Sequence, residues 1–354
     1  MPDVVVAGAG MAGLVAAAEA RRLGATPLVL EKLPRAGGSM LLSSGVIWRH
    51  RDFETFRAEC PDGDERLQRL LFERLDDDLR WLDSLGAPVV QRDTGNPLTT
   101  GTRFDSGGLT EALVEAVGAV QLAERLGEAP GSVPLILATG GFAASRDLLR
   151  AHVSAEADHA FLRAAPGSIG DGLRIGLEAG GSTSSGLDQV YARAMPAPPA
   201  RIGEPDLVRL AQLYARHAEV TNERGERYET RTWSEIDVAQ WQLRQPRARA
   251  WFTVAADRLG KRVRERSVAE LIDAAEAAGA PVRRSEEDVT VETVAGVTTT
   301  LGGLAIDEHA CVIDNVYACG ADAGGVATGG YASGLAAALV FGRIAARVAL
   351  GERP

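Results

Sequence analysis

The first 32 residues constrain the fold of this chain more than any other stretch. Val4–Ala7 is a short, wholly apolar run, which is typical of a parallel strand buried on both faces. It leads directly into a G-x-G-x-x-G sequence at Gly8, Gly10 and Gly13, and the alanine-rich residues 14–23 that follow predict a helix. A strand, a glycine-rich turn and a helix in this order predict a nucleotide-binding unit.

A second predicted strand, residues 26–31, ends in the acid Glu31, 18 positions after Gly13. An acid about 20 residues beyond such glycines is placed to accept hydrogen bonds from a ribose. In this kind of unit Gly8 makes the tight turn, Gly10 lets backbone N–H groups approach a pyrophosphate, and Gly13 allows the helix to pack closely on the strand. The sequence therefore predicts a dinucleotide site at the end of the first strand.

Composition limits the partners that the chain can have. Its 354 residues are 45% hydrophobic, which suits a large α/β domain with a smaller insert and excludes a disordered chain. The net charge of −10 disfavours a nucleic-acid or anionic-membrane surface, and no apolar stretch reaches the ~18 residues of a membrane span. Because the first strand begins near residue 3, we expect no signal segment and a cytoplasmic protein that acts on a small molecule.

Residues that bind metals or form disulfides are sparse. The three cysteines are too few and too scattered for a disulfide framework or a thiolate metal site, so we expect reduced thiols at Cys60, Cys311 and Cys319. The five histidines show no metal-ligand spacing and are predicted to be surface groups: His50, His152, His159, His217 and His309. We expect no metal centre.

Three further motifs follow the first. A glycine doublet and several hydroxyls come just after the acid, where residues 35–45 read RAGGSMLLSSG. Residues 135–142 read LILATGGF, and residues 316–325 read VYACGADAGG. A nicotinamide enzyme has no use for the doublet and the hydroxyls at that position, so the predicted dinucleotide is of another kind.

With these motifs in this order, the chain resembles the family of FAD-dependent oxidoreductases that includes fumarate reductase, succinate dehydrogenase flavoproteins and 3-ketosteroid Δ1-dehydrogenases. The resemblance implies an FAD cofactor, with Asp322 where an acid binds the ribityl chain. Covalent flavin in this family requires a histidine near residues 37–39, and because none is present, the FAD is expected to be non-covalent.

The resemblance also implies which residues hold FAD. They come from the four motifs and from the start of the last predicted helix, whose positive dipole end is expected to face the flavin. The set is Gly8, Gly10, Met11, Ala12, Gly13, Glu31, Lys32, Gly37, Gly38, Ser39, Met40, Ser43, Ser44, Gly45, Ala138, Thr139, Gly140, Gly320, Asp322, Gly334 and Leu335.

The domain organisation follows from the same resemblance. A Rossmann-like FAD-binding domain of the α/β class is discontinuous, comprising residues 1–145 and 296–354, and is interrupted by an inserted α+β cap of residues 146–295. Relatives carry a three-stranded β-meander where this chain has about fifteen residues between Gly118 and Pro134. The chain is therefore expected to be a shortened member of the family.

Apolar spacing predicts individual helices in both parts. Leucines spaced mostly three and four residues apart predict a packing helix over residues 64–85. In the cap, helices are predicted near residues 206–217 and over residues 267–278.

Relatives move a hydride between flavin N5 and a carbon β to a carbonyl or carboxylate. Fumarate reductases carry a histidine where this chain has Thr299, and residues 327–334 lack their arginine, so the resemblance disfavours reduction of a dicarboxylate. The same segment is similar to a ketosteroid dehydrogenase motif in which a tyrosine and a backbone N–H bind the ketone oxygen. Tyr331, with the N–H of Gly334 or Leu335, fits this role, and packing beneath the flavin is its alternative role.

In the predicted cap, Tyr191 fits a proton-transfer group and Arg193 fits a carboxylate ligand, with ordinary packing as the alternative for both. A free tyrosine, with its pKa of ~10, is a poor base unless a cation or a helix terminus lowers that pKa. The candidate catalytic residues are therefore Tyr331, Tyr191, Arg193 and Thr299.

The predicted function is that of an FAD-dependent oxidoreductase acting on CH–CH groups of a small carbonyl compound. It would desaturate a ketone, steroid-like or cyclic, or reduce an enoate, with an electron acceptor that the sequence leaves unknown. The alternatives are a flavin-dependent oxidase and a flavin-binding protein that has lost catalysis because its cap is shortened.

Overall fold

The computed structural model describes residues 1–127 and 131–352. In chain order, the α-helices of these residues are α1 Met11–Arg22, α2 Phe53–Glu59, α3 Glu65–Ser84, α4 Ser106–Val117, α5 Arg146–His152, α6 Asp171–Glu178, α7 Ile236–Leu243, α8 Val268–Ala277 and α9 Gly334–Ala349. The β-strands are β1 Val4–Ala7, β2 Pro27–Glu31, β3 Val46–His50, β4 Val89–Gln91, β5 Thr99–Phe104, β6 Gln121–Leu122, β7 Leu135–Leu137, β8 Phe161–Leu162, β9 Val190–Pro196, β10 Glu219–Thr221, β11 Arg227–Tyr228, β12 Arg249–Ala255, β13 Arg262–Val263, β14 Arg266–Ser267, β15 Val282–Arg284, β16 Asp288–Thr300, β17 Cys311–Ile313 and β18 Val316–Ala318. Among the described helices, none combines the length and the apolar character needed to cross a bilayer.

The chain divides into two compact units. The first comprises Met1–Ser145, Ala164–Gln189 and Thr299–Pro354, and the second comprises Arg146–Arg163 and Val190–Thr298. The predicted α/β class with a discontinuous first domain is confirmed. The grouping differs from the predicted boundaries at residues 296–298, which were predicted to belong to the FAD-binding domain, and at residues 164–189, which were predicted to belong to the cap. One contact that ties this stretch to the first unit is the bond from the N–H of Gly172 to Thr139 Oγ1, at 2.9 Å.

A six-stranded sheet, ordered β17-β18-β7-β1-β2-β6, forms the centre of the first unit. β1 runs parallel to β2 and β7, and β7 runs parallel to β18. Every residue of β1 is buried, which explains why its sequence is continuously apolar. Because these strands are parallel, their carboxyl ends meet at one edge of the sheet, and Gly8, Glu31, Ala138 and Gly320 all lie at that edge.

Helices α1 and α9 approach closely because small residues face each other. A Cβ added to Gly342 would lie 2.8 Å from the carbonyl oxygen of Ala12, which is too short for any side chain. A Cβ on Gly320 would likewise lie 2.8 Å from the Cβ of Ala12. Both α9 and the segment after β18 are therefore positioned by the first turn of α1.

The second unit contains a sheet ordered β11-β10-β12-β16-β15, in which β8 and β9 also pair with β16. The 13 residues of β16 run antiparallel to β12 and β15 and parallel to β8. Helix α8 packs its buried Val268 and Ile272 into the core of this unit. The rings of Tyr214 and Phe252 meet edge to face in the same core, with centroids 5.7 Å apart.

The helices predicted over residues 64–85 and 267–278 are confirmed as α3 and α8, but the helix predicted near residues 206–217 is wrong. Only 3₁₀ turns occur at the two ends of that segment. The carbonyl of Leu207 accepts a bond from Arg163 at 3.0 Å. The N–H of Gln212 donates to the carbonyl of Ala194 at 2.9 Å. A helix would need these backbone groups for its own hydrogen bonds. The apolar spacing of the segment therefore predicted a helix that these other bonds prevent.

The stretch predicted to be shortened, between Gly118 and Pro134, includes residues 128–130, which lie outside the described residues. Its described part contains β6, which is two residues long and pairs with β2.

A buried charge cluster joins three helices of the first unit. Arg343 on α9 donates to Glu19 on α1 at 3.2 Å and to Asp78 on α3. Arg347 adds a bond to Glu19 at 2.5 Å. Burial by itself raises the pKa of Glu19, but the arginine bonds and charges around it lower that pKa below its ordinary value. The arginines thus keep a fully buried carboxylate ionised between α1 and α9.

Arg343→Met should destabilise the protein by about 3–5 kcal/mol, because it leaves two buried carboxyl groups without their common cation. Urea unfolding measures the change. Arg80→Met is the matched control, since Arg80 pairs with Asp77 on the exposed side of α3 and should leave the unfolding midpoint unchanged. Equal midpoints for Arg343→Met and the wild type would contradict a stabilising role of the cluster.

Candidate functional site

The turn after β1 has one open glycine between two closely packed ones. A Cβ on Gly8 would lie 2.2 Å from the carbonyl oxygen of Ala138, and a Cβ on Gly13 would lie 1.9 Å from that of Gly8. A Cβ on Gly10 would have no protein atom within 4 Å. Gly10 thus leaves space in front of α1, whose N-terminus has no side-chain cap. Uncapped N–H groups at a helix N-terminus attract a phosphate.

The glycine doublet that follows β2 lies against this turn. Gly37, with a φ of 104°, donates its N–H to the carbonyl of Ala9 at 2.7 Å. A Cβ on Gly38 would lie 3.3 Å from the Cα of Gly10. Two of the predicted motifs are therefore in contact, and glycines on both sides keep side chains out of the space at Gly10.

Glu31 ends β2 beside the same turn. One of its carboxylate oxygens accepts the N–H of Ala9 and the other accepts the N–H of Leu33, both at 2.8 Å. A carboxylate oxygen accepts more than one hydrogen bond, so these two bonds do not exhaust its capacity for a ribose. Lys32, also predicted to bind the cofactor, forms an ion pair with Asp171 at 2.5 Å.

Two serines of the doublet segment form bonds within the protein. Ser39 Oγ accepts the N–H of Ala165 at 2.9 Å. Ser43 Oγ donates to the carbonyl of Met40 at 2.7 Å and accepts the N–H of Gly45 at 3.1 Å. These bonds fix the backbone that follows the doublet, and the predicted contacts of the serines with a cofactor stay a prediction.

Asp322 is buried and links two of the predicted motifs. Its carboxylate accepts the N–H of Gly141 at 2.9 Å and the hydroxyl of Thr139 at 3.0 Å, and it also accepts the N–H of Thr139. Burial raises the pKa of Asp322 above its ordinary value. A Cβ on Gly172 would lie 2.3 Å from Asp322 Oδ2, so this glycine is needed for the approach of α6. The role of Asp322 toward a ribityl chain stays a prediction.

Tyr331 lies in the loop of the first unit that precedes α9, and a hydrogen bond from α3 fixes the start of this loop. The side-chain amide of Gln68 donates to the carbonyl of Val326 at 2.9 Å. The half-buried ring of Tyr331 packs against Trp48, with centroids 5.5 Å apart. Thr299 belongs to the same unit, where its hydroxyl makes a long bond of 3.4 Å to the carbonyl of the next residue.

His50 was predicted to lie at the surface, and that prediction is wrong. Its side chain is only 5% exposed, and its ring centroid lies 5.3 Å from those of both Trp48 and Phe56. Burial lowers the pKa of His50 more than the backbone carbonyl of Tyr331 raises it, so the imidazole is neutral at neutral pH. The aromatic residues on either side of His50 in the sequence were the signal that could have indicated its burial.

Tyr191 and Arg193 lie two positions apart on β9 of the second unit and therefore share one face of that strand. The Nε of Arg193 donates to the Tyr191 hydroxyl at 2.8 Å, and another N–H of Arg193 donates to the carbonyl of Ser234. Burial alone would raise the pKa of Tyr191, but the positive charges of Arg193 and Arg163 lower it to about 8. The pair predicted from sequence is therefore in direct contact, with a phenol that ionises readily.

The first unit thus has the features of a dinucleotide-binding α/β domain: parallel strand ends, a glycine turn with free space before a helix, and an acid at the second strand. Residues 3–130 and 128–336 match the family described as an FAD binding domain. The chain belongs to this family, and the FAD cofactor predicted from sequence is confirmed.

Known proteins of similar sequence or fold are named as fumarate reductases and ketosteroid dehydrogenases. A probable fumarate reductase of Shewanella frigidimarina, Ifc3, is 24% identical over 444 aligned positions, which cover 97% of this chain and 74% of that protein. The structure of a 3-ketosteroid Δ1-dehydrogenase from Sterolibacterium denitrificans has a TM-score of 0.75 at 14% identity, with 99% of both chains covered. A flavocytochrome c3 fumarate reductase has a TM-score of 0.72 at 22% identity, covering 99% of this chain and 78% of the other. The chain shares the fold of the ketosteroid dehydrogenase and of the flavocytochrome.

Gly10→Ala should leave the apoprotein as stable as the wild type, because the added Cβ meets no protein atom. It should weaken FAD binding about tenfold or more, equivalent to ~1.4 kcal/mol, because the Cβ enters the space in front of α1. Titration of the apoprotein with FAD measures affinity, and urea unfolding measures stability. Gly13→Ala is the contrasting variant, since its Cβ collides with Gly8 and should lower stability itself. Unchanged FAD affinity in Gly10→Ala would place the phosphates elsewhere.

Proposed function

We propose that the protein is an FAD-dependent oxidoreductase acting on CH–CH groups, which desaturates a steroid-like or cyclic ketone or reduces an enoate. Such a reaction needs a two-electron carrier, a donor to the carbonyl oxygen and a group that exchanges a proton at the α carbon. The observation that carries the proposal is the Tyr191–Arg193 contact, because it supplies a phenol whose pKa of about 8 suits proton exchange near neutral pH.

When bound, FAD supplies the acceptor or donor of the hydride at the β carbon. The open turn at Gly10 and the doublet at Gly38 would hold its phosphates, and Glu31 its ribose. Asp322 would bind the ribityl chain while it stays bonded to the segment after β7. The N-terminus of α9, at Gly334, would favour negative charge on the reduced ring, and no covalent bond is needed.

Tyr191 exchanges the proton at the α carbon. In the desaturation direction its phenolate removes that proton, and the phenol returns it when an enoate is reduced. Arg193 keeps the phenol oxygen in position through its Nε bond at 2.8 Å and stabilises the phenolate through its charge. The residue therefore works in either direction without a second base.

Tyr331 donates its hydroxyl to the carbonyl oxygen of the substrate. A hydrogen bond at this oxygen stabilises the negative charge that develops there as the α proton leaves. Support comes from the similarity of residues 327–334 to a ketone-binding motif and from the loop bonded through Gln68. The backbone N–H of Gly334 or Leu335 would add a second donor, and Thr299 would line the substrate rather than bind a carboxylate.

The ketone is preferred to a dicarboxylate as substrate class. Residues 327–334 contain no arginine, and Thr299 stands where fumarate reductases carry a histidine. The similar ketosteroid dehydrogenase structure was determined with 1,4-androstadiene-3,17-dione, a diketone. The first test is therefore reduction of the bound flavin by 4-androstene-3,17-dione and by simple cyclic ketones, with reoxidation of the reduced protein by fumarate as the competing reaction. Rapid turnover with fumarate alone would reject the ketone.

Tyr331→Phe should retain FAD occupancy but slow flavin reduction about 10²- to 10³-fold, the usual loss when one such donor is removed. Single-turnover reduction at equal FAD content measures the rate. If Tyr331 only packs beneath the flavin, Tyr331→Phe would keep the wild-type rate, while Tyr331→Ala would lose a few kcal/mol of stability, roughly as for other aromatic truncations. A wild-type rate in Tyr331→Phe would remove this residue from the mechanism.

The rate of ketone-driven flavin reduction should rise with pH and level off above about 8, because only the deprotonated form of Tyr191 removes a proton. Below this pKa the rate should fall roughly tenfold per pH unit, as the phenolate fraction does. Tyr191→Phe should abolish that dependence and slow the reaction about 10²- to 10⁴-fold. A Tyr191→Phe protein with the wild-type pH profile would show that another group exchanges the proton.

A further inference from the structure

Strand β16 passes between Tyr191 and a second buried arginine of the same unit. At Gly296 and Val297, β16 pairs with β8, and the next residue after β8, Arg163, donates its N–H to the carbonyl of Val297 at 2.8 Å. β9, which carries Tyr191, also pairs with β16. The backbone of Arg163 therefore lies on the β8 side of β16, whereas Tyr191 lies on β9.

The side chain of Arg163 crosses β16 over Gly296, which has no side chain of its own. A Cβ on Gly296 would lie 2.8 Å from Arg163 Cδ and 2.6 Å from Met195 Cγ. Any larger residue at this position would displace one of the two side chains. Met195 shares its face of β9 with Arg193 and Tyr191, because the three are spaced by two. Arg163 therefore extends over the face that carries the phenol.

The guanidinium of Arg163 is fixed by neutral oxygens. It donates to Thr298 Oγ1 at 2.7 Å through one terminal nitrogen and to the carbonyl of Leu207 at 3.0 Å through the other. The Nε adds a longer bond of 3.3 Å to the same carbonyl. Arg163 is 7% exposed, so little solvent screens its charge. These three bonds hold the side chain in place.

We propose that Arg163 is a positioning residue for proton transfer: its charge, carried across β16 over Gly296, holds Tyr191 in a readily ionised state. This proposal rests on the proton-transfer role proposed for Tyr191. Arg193 on β9 and Arg264 in the turn between β13 and β14 also act on the phenol, and all three arginines lower its pKa while burial raises it. Arg193 is bonded to the hydroxyl, and the charge of Arg163 lowers the pKa of the phenol from the other side of β16.

Titration of Tyr191 itself tests the proposal without any substrate. The FAD-loaded protein, labelled with carbon-13 at the ring Cζ of its five tyrosines, gives one resonance per tyrosine, and Tyr191→Phe assigns the relevant one. Tyr191 should titrate near pH 8 in the wild type. Arg163→Gln should raise its pKa by about one unit, and Arg163→Lys, which retains a charge, should restore most of the difference.

The matched control is Arg249→Gln, which removes a half-buried arginine of the same sheet that pairs with Glu292. It should leave the pKa of Tyr191 unchanged. An unchanged pKa in Arg163→Gln, or an equal rise in Arg249→Gln, would overturn the proposal. If Arg163→Gln does not fold, Thr298→Val decides: it removes the oxygen that accepts a bond from one terminal nitrogen of Arg163 at 2.7 Å without removing the charge. The guanidinium then loses its fixed position, so the pKa of Tyr191 should rise, and no rise would overturn the proposal.

The outcome is separable from that of the proposed function. If Tyr191→Phe keeps full activity, the proton-transfer role of Tyr191 fails, whatever Arg163 does to its pKa. If Tyr191→Phe is inactive while Arg163→Gln leaves the pKa of Tyr191 unchanged, only the role of Arg163 fails.

Discussion

Much of the first unit depends on how closely its backbone segments approach at the carboxyl ends of β1 and β7. The carbonyl oxygen of Gly8 lies 1.9 Å from the point where a Cβ of Gly13 would be, and Gly8 faces the carbonyl of Ala138 in the same way. This approach fixes the N-terminus of α1 at the edge of the sheet. Gly342 on α9 then packs against Ala12 of α1. The position of α9, whose N-terminus is proposed to face the flavin, is therefore set by α1.

The fingerprint could be predicted because its residues lie close together in the chain. The glycine turn lies within Gly8–Gly13, and Glu31 follows it at a fixed distance in the sequence. The order of these residue types is therefore enough to predict the turn and its acid. The bonds of Asp322 to Thr139 span 183 positions, and the bond of Arg163 to Thr298 spans 135, so no local spacing indicates either of them. The helix predicted near residues 206–217 failed for a related reason, since apolar spacing does not report where backbone groups find distant partners.

Asp322, which is buried, and Tyr191, which is half-buried, show how neighbouring groups decide the charge of a residue shielded from solvent. Burial raises the pKa of both, because a low-dielectric environment disfavours the charged form. Asp322 accepts bonds from neutral groups, which do not offset that effect. Tyr191 lies among arginines, whose charges more than offset it. The difference fits the roles proposed for the two residues, since Asp322 joins backbone segments whereas the lowered pKa of Tyr191 suits the proposed proton transfer.

The bonds of Arg193 also bear on the substrate class. A guanidinium binds a carboxylate best through two parallel N–H bonds. Arg193 directs its Nε to the Tyr191 hydroxyl and another N–H to the carbonyl of Ser234, so a two-pronged grip on a carboxylate that uses Nε would have to replace the first of these bonds. Replacing the first would remove the contact that lowers the pKa of the phenol. A ketone makes no such demand, because it requires one donor at its oxygen and one base at its α carbon. In the proposed reaction, the Nε bond of Arg193 therefore fits a ketone, because the arginine charges then act on the phenol of Tyr191.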